Sequence, residues 1–86
     1  MAVPVGRPSR LERVAAWDDP EGGPVTSVAE RAWTTTNAHP ETLDGWMREA
    51  RRVWDSVSPG RSLGVGDQVV VGGTRLRCVP DGFVPA

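Results

Sequence analysis

The sequence has no lysine, no isoleucine and no tyrosine, and only one cysteine and one histidine in 86 residues. A single cysteine, Cys78, excludes an internal disulfide and any zinc site with two thiolates. A single histidine, His39, excludes a His-rich metal site, and it stands far from Cys78 in sequence, so no nucleophile–base pair is apparent. No apolar run approaches the ~18 residues of a membrane span. The first ten residues, MAVPVGRPSR, lack the hydrophobic stretch of a secretory signal. These absences predict a cytoplasmic protein that is not an enzyme. The Gly64-x-Gly66 pair is no nucleotide fingerprint, because a helical pattern precedes it and a strand pattern follows, the reverse of the order such sites need. No cofactor and no metal are expected.

All ten basic residues are arginine against eleven acids, a net charge of −1. The arginine-only usage, with abundant Ala, Gly, Val and Pro, matches the codon bias of a GC-rich genome. A balance so close to zero advertises neither a nucleic acid nor a membrane. The distribution is uneven. Residues 1–45 hold four arginines and seven acids, and residues 46–86 hold six and four. The apolar inventory is led by thirteen valines and four tryptophans, Trp17, Trp33, Trp46 and Trp54. Each indole offers on the order of 200 Å² for burial, and all four are read as core residues. A chain of this length makes one domain, here 10–86 behind a flexible leader, 1–9.

Residues 10–17, RLERVAAW, suit either a short helix or a strand. The strand is favoured, with Leu11, Arg13, Ala15 and Trp17 on one face, because a lone hairpin elsewhere in the chain needs further cover. DDPEGGP, 18–24, reads as a turn with solvated acids. Residues 25–36 read as a helix with a capping-box spacing at Ser27 and Glu30, an inward stripe of Val28, Ala29, Ala32, Trp33 and Thr36, and Asn37 as its left-handed C-cap. A second helix is predicted from Pro40, which suits a first helical position. Its stripe, Leu43, Trp46, Met47, Ala50, Val53, Trp54 and Val57, is the strongest periodicity in the chain. In the last third, Val69 and Val71 alternate with Gln68 and Val70, and Leu76 and Cys78 with Arg75 and Arg77. Gly72-Gly73 supplies the two-residue hairpin turn. Val69 should oppose Leu76, and Val71 should oppose Thr74. Leu63 and Val65 are read as pointing inward, with Gly66-Asp67 turning the chain into the hairpin. The fold class is α+β, ordered β-α-α-β-β, with two helices packed on one face of a small antiparallel sheet. The predicted core centres on Leu43, Trp46, Val53, Trp54, Val69, Leu76 and Phe83.

The candidate binding residues are Arg51, Arg52, Arg61, Arg75 and Arg77. If they converge, they form a cationic patch able to grip phosphate or an acidic partner; otherwise they are a solvated face. Gly66, Asp67, Gly72 and Gly73 are structural turn residues. The Asp67 carboxylate is placed to accept backbone N–H groups one or two residues further on and fix its turn.

The run Ser62-Leu63-Gly64-Val65-Gly66-Asp67-Gln68-Val69-Val70, closed by Gly82-Phe83, resembles a box found in short proteins of high-GC bacteria, their plasmids and phages. It is also similar to the YodL-like domain of antirestriction-like mobile-element proteins. Gly64 stands where that box has Ser, and Gln68 where it has Val. Trp33-Thr34-Thr35-Thr36-Asn37 is similar to the upstream part of the same short proteins, with one residue extra. The resemblance implies a mobile-element context and a non-enzymatic accessory role, and no catalytic residue. The expected function is therefore binding of a partner protein, as a monomer or homodimer. The alternative is a nucleic-acid-associated module using the arginines.

Overall fold

The computed structural model of the protein describes residues 5–6 and 15–86. Two helices, α1 (Val25–Asn37) and α2 (Gly45–Val57), lie on one face of an antiparallel sheet formed after them by β2 (Gln68–Val71), β3 (Thr74–Val79) and β4 (Gly82–Pro85). A two-residue strand β1 (Val5–Gly6) pairs with the free side of β2, so the sheet order is β1-β2-β3-β4. The α+β architecture with helices on a small antiparallel sheet is the one expected. Its order of main elements is α-α-β-β-β.

Two of the strand expectations change. The strand predicted over 10–17 is not seen. Residues 10–14 lie outside the described residues, and Ala15 to Trp17 make no continuous ladder, with single bridges at Ala15 and Asp18. The alternation survives nonetheless: Ala15, Trp17 and Asp19 are buried while Ala16, Asp18 and Pro20 face outward. Extension ends at Asp19, whose carboxylate gathers the amides of Glu21 and Gly22 into a turn (2.8 and 3.1 Å). The missing third strand comes from the C-terminus, where Gly82-Phe83, the end of the box, opens β4, a strand the sequence pattern does not predict. Phe83 pairs with Cys78, and Leu76 with Pro85. Pro85 suits an edge strand, where its lack of an N–H breaks no internal ladder. Of the leader 1–9, only Val5 and Gly6 are among the described residues.

The β2–β3 hairpin has the predicted register, Val69 opposite Leu76 and Val71 opposite Thr74. Gly72 and Gly73 both take positive φ, 54° and 90°, the pair a type I′ turn requires. Val69, Val71, Leu76 and Cys78 are buried on the helix side, while Arg75 and Arg77 face away from it.

Helix α1 starts at Val25 behind Pro24, whose fixed φ and carbonyl open the first turn. Ser27 lies inside the helix, so the capping box predicted there does not form: its own N–H bonds to the Pro24 carbonyl. The buried stripe is Val28, Ala29, Ala32, Thr35 and Thr36. Trp33, expected within it, is 45% exposed. Asn37 takes no left-handed conformation, as no non-glycine among the described residues has positive φ. Its side chain reaches across the chain instead. Asn37 Nδ2 donates to the Leu63 carbonyl at 2.9 Å, and the Leu63 N–H donates to Thr36 Oγ1 at 3.1 Å. Both backbone groups of fully buried Leu63 are thereby satisfied by the end of α1, which answers the cost of burying them.

The second helical pattern divides. Pro40–Thr42 forms a 3₁₀ turn, Leu43 and Asp44 are extended, and α2 runs only from Gly45. The break lets Leu43 turn into the core, where it is 4% exposed. Ala50 and Trp54 are buried, while Trp46, Val57 and Phe83 pack against the core's margin. Val53, predicted inside, is 40% exposed, because the narrow buried stripe runs through Ala50 and Trp54 and leaves Val53 on its outer side.

Candidate functional site

The five arginines do not converge. Arg51 is largely buried, with 16% of its side chain exposed. Its Nη1 donates to the carbonyls of Ala38 (2.6 Å) and Thr35 (3.3 Å), and its Nε to the Asp55 carboxylate (3.1 Å). A guanidinium at the carbonyl end of α1 satisfies groups the helix cannot and complements its dipole. Arg51 therefore joins the two helices. Arg61 lies beside the Asp67 carboxylate at 3.1 Å, and its carbonyl accepts the Trp54 indole N–H at 2.7 Å. Arg52 is exposed on α2 and pairs with Glu49 at 3.2 Å. Arg75 and Arg77 share the sheet face turned away from the helices, Arg75 reaching Gln68 Oε1 at 3.2 Å. Two of the five are thus framework, one is paired on a helix surface, and two stand exposed on the opposite side of the sheet.

At the turn before the hairpin, the Asp67 side-chain bond runs in a different direction from the one expected. Asp67 is buried, and its Oδ2 accepts the Gly64 N–H at 2.9 Å, three residues back rather than one or two ahead. The Asp67 N–H returns a bond to the Gly64 carbonyl at 3.0 Å. Gly66, at φ 94°, occupies the third position of this turn, the one that needs positive φ in type II. Val65, at its tip, is 68% exposed rather than inward. The Cys78 N–H then bonds to the Asp67 carbonyl and the Gly66 N–H to the Cys78 carbonyl, so the box runs on into the hairpin.

A second carboxylate was missed. Asp19, read as a solvated turn acid, is 3% exposed. Its Oδ2 accepts Arg31 Nε at 2.8 Å, and Arg31 Nη2 also bonds to the Gly22 carbonyl. Burial works against the charged carboxylate, but the Arg31 hydrogen bond, the Glu21 and Gly22 amides and the guanidinium charge outweigh it and hold its pKa below the ordinary value. The signal that could have found it is local. An Asp followed by Pro20 and Gly22 is an Asx-turn sequence, and an Asx turn at the edge of the core needs a cation for its second oxygen.

Two concave regions stand out at the surface. One, about 350 Å³, is lined by His39, Pro40, Glu41, Arg48, Arg51, Arg52 and Asp55. Its charge is mixed. His39 Nδ1 lies 2.9 Å from Glu41, and Arg51 and Arg52 have carboxylate partners. Arg48 alone of its arginines has no ion pair among the described residues. The other, about 260 Å³, lies between α1 and the β3–β4 turn, lined by Glu30, Trp33, Thr34, Cys78, Val79, Pro80, Gly82 and Phe83. Exposed Trp33 and half-buried Phe83 are its two aromatic lining residues. This volume admits one or two side chains and falls short of the ~300 Å³ at which small-molecule sites begin. Burial raises the Cys78 thiol above its ordinary pKa, and the Asp67 charge pushes the same way. The thiol is therefore protonated near neutrality and a poor nucleophile.

Among the described residues, no three His, Cys, Asp or Glu side chains gather as a metal site, and no helix is long and apolar enough to cross a membrane. Comparison with family models, curated proteins and solved structures found no match in any of the three.

Proposed function

We propose that this protein is a small non-enzymatic binding module that engages a partner protein through the groove between α1 and the β3–β4 turn. The observation that carries this reading is Trp33. Trp17 and Trp54 are buried, Trp54 donates its N–H to the Arg61 carbonyl, and Trp46 donates to Glu21 at 3.1 Å. Trp33 alone of the four tryptophans is exposed, beside a largely apolar concavity. Large aromatic side chains held on a rigid element are the residues most often found at the energetic centre of protein interfaces. The resemblance of the box at 62–70 to mobile-element proteins adds a setting for that partner, a phage, a plasmid or their host.

The nucleic-acid alternative loses most of its support once Arg51 and Arg61 are seen as framework. It retains Arg75 and Arg77. Two experiments separate the readings. Titration with duplex DNA at stepped salt reads phosphate contacts directly, with a slope of about −0.9 per contact; a steep slope abolished by Arg75→Ala/Arg77→Ala would replace the protein-binding reading. Capture from extract of the native host, run with the wild type, Trp33→Ala and the double arginine variant, should lose a retained protein only with Trp33→Ala.

A further inference from the structure

We infer that the groove beside Trp33 receives an arginine side chain presented by the partner protein, an inference that rests on the protein-binding reading above and names the chemistry of its occupant. The walls are aromatic and apolar, but the rim is acidic. Glu30 lines the groove one helical turn before Trp33 on the same face of α1. Asp81 is exposed in the turn between Pro80 and Gly82, both groove residues. Neither carboxylate has an ion-pair partner among the described residues, whereas Asp19, Glu49, Asp55 and Asp67 each have an arginine.

An uncompensated acid lining the groove beside an exposed indole, with a second acid exposed in the adjoining turn, is complementary to a cation with an apolar stem. A planar guanidinium suits it better than an ammonium. It stacks on the indole face while its edge donors reach carboxylates, and it is the less strongly hydrated of the two. The groove's 260 Å³ leaves room for the stem against Phe83. Among the described residues, exposed Arg75 and Arg77 lie on the far face of the sheet, so they do not fill the groove of their own chain.

The test uses the intact protein labelled with ¹⁵N and the probe peptide acetyl-Gly-Leu-Arg-Leu-Gly-amide, with citrulline or glutamate in place of arginine as controls. The arginine peptide should shift the Trp33 indole N–H and the amides of Phe83 and Asp81. Citrulline, which keeps the shape and loses the charge, should bind at least about fivefold more weakly. Glu30→Gln should weaken only the arginine peptide, and Trp33→Ala should abolish all groove shifts while the rest of the spectrum stays folded. Equal binding of arginine and citrulline peptides, or no shift with any peptide, would overturn the arginine assignment. If host-extract capture still depended on Trp33, the protein-binding reading would survive that failure; capture indifferent to Trp33 would remove both. Concentration-dependent self-association in sedimentation, lost in Arg75→Ala/Arg77→Ala, would assign the groove to a second copy of the chain and overturn the separate partner.

Discussion

Trp54 on α2 and Trp33 on α1 meet opposite fates. Trp54 on α2 is 2% exposed and donates its N–H to the Arg61 carbonyl. Around it, Arg61, Asp67 and Gly64 close a small network that fixes the entrance to the hairpin. Trp33 on α1 is 45% exposed, and Glu30, a carboxylate without an arginine partner among the described residues, lines the groove beside it. The same residue type is architecture where its polar atom has a partner and its ring is covered; where neither holds, it is the surface we propose for recognition. The arginines divide along the same line. Arg31, Arg51 and Arg61 hold carbonyls and carboxylates inside the fold, and Arg75 and Arg77 do not.

The largest expected effect breaks the architectural side. Trp54→Ala should lower stability by roughly 3–5 kcal/mol through the cavity left in the core, enough to unfold much of a small domain, as read by chemical denaturation. Asp67→Ala should cost about 1.5–3 kcal/mol, because it strands the half-buried Gly64 amide and leaves Arg61 without its counter-charge. Binding should then weaken only in proportion to the folded protein lost. Unchanged stability with lost binding would move Asp67 to the recognition side.

A smaller effect is confined to acid. The Asp19 pKa is lowered in the folded protein, so its pairing with Arg31 contributes stability fully above the unfolded carboxylate pKa of about 3.9 and loses it as pH falls through the folded value. Asp19→Asn should flatten the acid limb of a stability-against-pH curve relative to the wild type. An identical limb would show that the pair contributes no net stability.

What was legible in the sequence tracks how local the cause is. The β2–β3 hairpin was readable to the residue because a two-glycine turn and strict alternation fix register without help from the rest of the chain. Helix α2 was readable in its stripe but not in its start, because the inward turn of Leu43 is a demand of the core rather than of local propensity. Strand β4 was hidden: Gly82-Phe83-Val84-Pro85 carries a glycine and a proline, and only pairing with β3 makes it a strand. The Thr36–Asn37 hold on Leu63 joins two stretches singled out separately, and nothing in either sequence states that they meet. The candidate site failed in its first form because charge alone does not reveal which arginines have partners inside the fold.

The smallest expected change in stability accompanies the most telling change in function. Trp33→Ala should alter stability by less than about 0.5 kcal/mol, as for an exposed surface position. The deciding measurement is side-by-side capture of the host partner by wild-type and Trp33→Ala protein at equal folded concentration. The account predicts at least a tenfold loss of retained partner with an unchanged denaturation midpoint, the scale of an interface anchor. Equal capture by both proteins would contradict it and return Trp33 to an ordinary surface residue.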